Sequence, residues 1–154
     1  MTLSSTPGSI RKFARTPWKF QTTFNTPLKK LDSFVTAILA DQGGYEKGIV
    51  TIDEVVFEPR NLKELLAANL LSTEFGHDWS IVAKGKTQVR ELLEAAFSDW
   101  VDFSFVPTPK SFVIYADHDE FTTFFATTKS NLNQVVETLL NKGFERNPVY
   151  RREL

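Results

Sequence analysis

Both histidines of the chain stand beside carboxylates. One lies in Gly76-His77-Asp78 and the other in Asp117-His118-Asp119-Glu120. Residues of these kinds, converging within a few ångströms, are what a metal site or a carboxylate–histidine acid/base pair requires. In an extended segment, however, Asp117 and Asp119 point one way while His118 and Glu120 point the other. Asp is also an ordinary turn former, so the 117–120 cluster reads first as a hairpin turn. A small hydrolase or metal-dependent enzyme using His77, His118 and nearby acids would need the two segments side by side. The spacing matches no zinc-helix pattern such as H-E-x-x-H, and no metal is assigned.

Other catalytic signatures are absent. There is no G-x-x-x-x-G-K-[ST], no G-x-G-x-x-G and no G-x-S-x-G. Ala83-Lys84-Gly85-Lys86-Thr87 sets glycine and lysines between a strand and a helix start, where backbone N–H groups can hold an anion. One glycine is too few for a phosphate cradle, and Thr87 reads as a helix cap. With no Cys, thiolate chemistry, disulfides and cysteine zinc sites are excluded. The remaining nucleophiles have no placed base. No catalytic residue and no cofactor is assigned.

Charge divides the chain unevenly. Arg11, Lys12, Arg15, Lys19, Lys29 and Lys30 meet no acid before Asp32. Beyond residue 31, 12 of the 18 Lys/Arg face all 19 Asp/Glu, a net of −7 within an overall −1. On the basic segment, cations interleave with Phe13, Trp18 and Phe20, a mixture able to bind phosphates and stack on unpaired bases. It can equally dock on an acidic protein or on the acidic body of its own chain. The acidic body argues against a nucleic-acid surface.

No apolar run approaches the ~20 residues that cross a bilayer, so no membrane span is expected. The N-terminus lacks the apolar segment of a secretory signal. Its acid-free Ser, Thr, Lys and Arg are loosely transit-peptide-like, but Pro7 and Pro17 break the helix such peptides form. The setting expected is cytoplasmic, with organellar targeting by the N-terminal segment as the alternative.

Two bodies must position these residues. Residues 1–25 read as an extended basic and aromatic arm, and residues 26–154 as a single α+β domain. In the domain, Thr26 and Pro27 open a helix bearing Leu28, Leu31, Val35, Ile38 and Leu39, stopped by Asp41-Gln42-Gly43-Gly44. Residues 49–57 carry both capping-box and strand chemistry. A second helix follows Pro59, capped by Asn61, with Leu62, Leu65, Leu66 and Leu70 inward. Trp79, Ile81 and Ala83 mark a strand. Val89, Leu92, Leu93, Ala96, Phe97 and Trp100 form the strongest helical stripe. Three strands follow, around Val101–Phe105, Phe112–Tyr115 and Phe121–Phe125, in a meander with short links. Ser130 caps a last helix closed by Gly143. Residues 147–154 read as an edge strand or a loose tail.

The fold class is therefore α+β: a two-layer sandwich, an antiparallel sheet with helices packed on one face. The order is strand, helix, three strands, helix from about residue 79, loosely ferredoxin-like, preceded by two helices and the arm. The function expected is a non-enzymatic protein–protein interaction module: an adaptor, inhibitor or immunity-like protein. Its partner is a protein, which the acidic face suits to be basic. Trp100, Asp102, Asp117, Asp119 and Glu120 are the binding candidates on the body; Arg11, Lys12, Arg15, Trp18, Lys19 and Phe20 are those on the arm. Single-stranded nucleic acid held by the arm is the rival.

Overall fold

The structure, a computed structural model, describes residues 1–40 and 45–154. The expected helix stop at Asp41–Gly44 lies outside the described residues. Among those described, the strands are β1 (Thr2–Ser5), β2 (Phe20–Asn25), β3 (Lys47–Glu54), β4 (Trp79–Lys84), β5 (Asp102–Thr108), β6 (Val113–Ala116), β7 (Phe121–Ala126) and β8 (Arg146–Asn147). The helices are α1 (Ser9–Arg15), α2 (Leu31–Ile38), α3 (Arg60–Ala68), α4 (Gly85–Ser98) and α5 (Lys129–Asn141), with a 3₁₀ turn at Leu28–Lys30. The strands form one open antiparallel sheet in the order β1-β4-β3-β5-β6-β7-β2-β8.

Alternation along the strands gives the sheet two different faces. Phe24, Ile52, Ile81, Phe103, Phe105, Ile114 and Phe124 turn to one side and are fully buried there. The stripes of α2, α3, α4 and α5 cover that side with Phe34, Leu62, Leu93 and Leu139 among others. Each buried Phe or Leu contributes about 1.5–3 kcal/mol, so this layer supplies most of the driving force. Helix α4 approaches closely because Gly48 has no side chain. A Cβ there would stand 2.7 Å from the Phe105 ring and 3.0 Å from Val89.

The N-terminal arm is not an extended appendage, and this corrects the sequence reading. It forms β1, α1 and β2, and β2 is inserted between β7 and β8. Pro7 and Pro17 bracket α1 instead of preventing it; Gly8, at φ 81°, turns the chain into the helix. Phe20 packs on the helix-covered core, whereas Phe13 of α1 and Trp18 lie on the opposite face. There they contact Phe125, and Phe13 stacks on Tyr115. Among the described residues three helices, not two, precede β4, and α1 lies across the face that a strict two-layer sandwich leaves bare.

Helix starts depart from local cap rules. Thr26 bonds Thr122 across the sheet, so the chain enters α2 through the 3₁₀ turn. Lys84, not Thr87, precedes α4, with Gly85 at φ 78° as the pivot. Thr128, not Ser130, caps α5 by accepting from the Asn131 N–H. Asn61 lies inside α3, where its own N–H is held by Asp99 from 38 residues away. Gly143, at φ 86°, does close α5, with Phe144 N–H returning to the Leu139 carbonyl.

Candidate functional site

Register on the face opposite the four-helix layer sorts side chains into cross-strand rows. One row runs Ser4, Ser80, Thr51, Ser104, Tyr115, Thr123, Thr23, a hydroxyl on each successive strand from β1 to β2. Two residues farther toward one end of the sheet, four adjacent strands end in aspartates: Asp78 just before β4, Asp53 in β3, Asp102 opening β5 and Asp117 just after β6. A bulge between Ile52 and Glu54 leaves Asp53 unpaired in the ladder and sets Glu54 opposite Asp102. Four carboxylates on adjacent strands repel one another unless each has its own donor.

Each has one. Asp78 accepts the N–H groups of Gly8 and Ile10 at 2.7 and 2.9 Å, anchoring the start of α1. Asp53 accepts the Tyr115 hydroxyl. Asp102 accepts both the backbone N–H of His118, at 2.7 Å, and its Nδ1–H, at 2.8 Å. Asp117 takes the Arg152 guanidinium together with two N–H groups of its own turn, those of Asp119 and Phe121. The 117–120 segment is therefore the hairpin turn expected, with Glu120 in the left-handed region at φ 70°.

Both histidines reach this end. His77 sets Nδ1 2.9 Å from the Asp53 carbonyl oxygen and 3.3 Å from its carboxylate. That carbonyl bond chiefly, with the charges of Asp78 and Asp53, raises the His77 pKa above the ordinary histidine value. The bond to Asp102 raises that of His118. Burial raises the Asp102 carboxyl against the pull of His118, while the N–H groups of Ile10 and Gly8 hold Asp78 below the usual carboxylate range. Burial and Asp53 push the Tyr115 hydroxyl far up, so it serves as a fixed donor and not as a base.

Folded pKa values raised in both imidazoles mean that the folded state holds more protons. Their stabilisation is complete below the ordinary histidine pKa and is lost as pH rises through the raised values. The unfolding midpoint should therefore fall between about pH 6 and 8. His77→Asn with His118→Asn should flatten that slope in a pH series of thermal melts.

Beside the row, the chain leaves the sheet through an apolar patch that sequence reasoning missed. Val55, Val56 and Phe57 are 36%, 42% and 55% exposed. Trp100, at φ 55°, sets its ring edge-to-face on Phe57 at 6.2 Å. The signal was available: Val55-Val56-Phe57 breaks the in–out alternation of β3 just before Pro59. Glu54 and Glu58 flank this patch in sequence, and Glu54 pairs with Asp102 in register.

No family model, no curated protein and no solved structure matches this chain. Trp100, Asp102, Asp117, Asp119 and Glu120 all fall at one end of the sheet. Asp102 is buried and Asp117 is committed to Arg152, whereas Asp119 and Glu120 remain exposed. The arm residues do not join them. Trp18 sits toward the opposite end of β5 and β6, its Nε1–H bonded to the Phe13 carbonyl and Lys110 over its ring. Arg11, Lys12, Arg15 and Lys19 are exposed on and after α1. Among the described residues, no group of three or more His, Asp or Glu is arranged to hold a metal ion, and no helix is long and apolar enough to cross a membrane.

Proposed function

We propose that the chain is a non-enzymatic protein-binding module whose sheet end docks a basic partner. The observation that carries this is the run Val55-Val56-Phe57, three consecutive exposed apolar side chains backed by Trp100 and flanked by Glu54 and Glu58. An apolar centre with an acidic rim is the complement of a partner surface that is apolar inside and Lys/Arg-rich outside. Asp119 and Glu120 extend the negative charge along the same end of the sheet. At this end Lys63 pairs with Glu58 and Arg152 with Asp117, so the carboxylates left for incoming cations are Glu54, Asp119 and Glu120. The absence of cysteine fits a cytoplasmic setting.

Single-stranded nucleic acid on the arm has less support, because Trp18 and Phe20 spend their rings on the chain's own sheet. Proton transfer is the second reading, favoured by the 2.8 Å contact of His118 Nδ1 with Asp102, with Nε2 3.7 Å from the Asp119 carboxylate.

The test is capture by the immobilised intact chain, followed by calorimetry with the captured protein. Phe57→Asp should weaken binding about thirtyfold or more, the scale of a central anchor. Asp119→Lys with Glu120→Lys should slow association and reduce its salt dependence. His77→Asn with His118→Asn should leave affinity at pH 8 intact. Unchanged affinity in both the Phe57 and the charge-reversed variants overturns the proposal. So does light scattering that shows the patch buried in a dimer of this chain.

A further inference from the structure

A second feature lies on the same sheet face but away from the acidic end, in a groove of about 380 Å³ between α1 and strands β1, β4, β3 and β5. Its floor is Ile49, Val82 and Val106, and one wall is Phe13 and Trp18. Lys12 and Lys110 stand at the rim. No carboxylate lines it, although the domain around it is acidic.

Along the groove runs the hydroxyl row, and its protons can be traced. Thr6 donates to the Asp78 carbonyl at 2.9 Å, so the 2.7 Å contact between Thr6 and Ser80 must carry the Ser80 proton. The 2.8 Å contact between Thr51 and Ser80 must then carry the Thr51 proton. Two hydroxyls, Thr51 and Ser80, thus point their protons toward the β1 side, and Thr6 ends the chain on the Asp78 carbonyl. Ser104 follows Thr51 in register and makes no side-chain hydrogen bond among the described residues, although it is only 4% exposed. Every fully buried side-chain oxygen among the described residues has a partner, so Ser104 Oγ must open onto the groove. Leaving a hydroxyl donor unpaired on an apolar floor is unfavourable unless something else accepts from it.

We infer that this groove binds an organic anion, a carboxylate or sulfonate on an apolar, largely flat body. The anionic oxygen accepts from Ser104 and lies within the field of Lys12 and Lys110, while the body rests on Ile49, Val82 and Val106 beside the Trp18 ring. The volume is that of a small-ligand site, and a few polar groups on an apolar surface are how such sites fix orientation. Neither lysine is paired with a carboxylate among the described residues, which leaves their charge for the ligand.

The probe is 1-naphthalenesulfonate, titrated into the intact chain by calorimetry, with 1-naphthylmethanol as the neutral counterpart. One-to-one binding of the sulfonate is expected, with the alcohol about tenfold weaker or more. Ser104→Val should cost about tenfold, and Lys12→Ala with Lys110→Ala a similar factor that shrinks in high salt. Ser104→Ala, which removes the hydroxyl without adding bulk, serves if the valine variant melts early. Phe57→Asp should change nothing, since it lies at the other site. The inference is overturned if the sulfonate fails to saturate, if both Ser104 variants and the lysine pair leave affinity unchanged, or if Phe57→Asp abolishes binding.

Discussion

Arg152→Ala is expected to lower the unfolding midpoint by about 6–12 °C, corresponding to about 3 kcal/mol in a domain of this size. Arg152 and Asp117 keep only 11% and 8% of their side-chain surface exposed. Removing the guanidinium leaves a carboxylate with little water in a row that already holds Asp102 and Asp53. The same residue lies over the Tyr115 ring at 4.4 Å and over Tyr150 at 5.6 Å. Its backbone exchanges two hydrogen bonds with the Gln21 side chain of β2. The tail is thus stapled across the sheet by charge, ring stacking and backbone contacts together. Arg152→Met combined with Asp117→Asn should recover most of the loss, because no charge is then stranded and Asn still accepts from its turn. A midpoint shift under about 2 °C for Arg152→Ala would show that the guanidinium contributes little to the folded domain.

Arg152 also shows what the sequence could and could not reveal. The stripes of α4 and α5 and the alternation of β5, β6 and β7 are legible because period alone decides which side chains turn inward. Period says nothing about which strands become neighbours. Asp117 looks like any turn aspartate until a residue 35 positions later is laid across it. Asp78 is likewise a strand-end residue until it closes on Gly8, 70 positions earlier. The arm was misread for the same reason. Its prolines and aromatics are visible, but the vacancy beside β7 that receives β2 is a property of the whole sheet.

The histidines follow this logic. Each could be placed at the end of a strand, but only the antiparallel order brings the start of β4, the end of β3, the start of β5 and the end of β6 together. That order also explains why the acidic row is less available than its count suggests. Asp78, Asp53, Asp102 and Asp117 each satisfy a donor of their own chain, so their charge holds the face together. What remains for a partner is the outer set, Glu54, Asp119 and Glu120, around the exposed run Val55-Val56-Phe57 that follows the end of β3.

Asp99→Ala should be the other large effect, about 3 kcal/mol and again about 6–12 °C. The carboxylate is 6% exposed and accepts from the Asn61 N–H at 3.0 Å, the Leu62 N–H at 2.7 Å and the Asn61 side-chain amide at 2.7 Å. It performs from the end of α4 the capping that a residue of α3 would ordinarily supply, and its charge suits the positive end of that helix. Alanine leaves the Leu62 N–H buried without an acceptor, since Leu62 is 0% exposed. Asp99→Asn keeps one accepting oxygen and should lose about half as much. The effect should also be local: amide exchange in α3 should speed up about a hundredfold and become faster than that of β5, which opens only with global unfolding. Phe57 leads into this helix and Trp100 follows Asp99 directly, so loosening α3 should also separate the two rings of the proposed docking patch. Partner affinity should then fall in Asp99→Ala well below the melting range, and recover in Asp99→Asn. Wild-type exchange in α3 alongside a lowered midpoint would mean that Asp99 acts elsewhere than at this helix start.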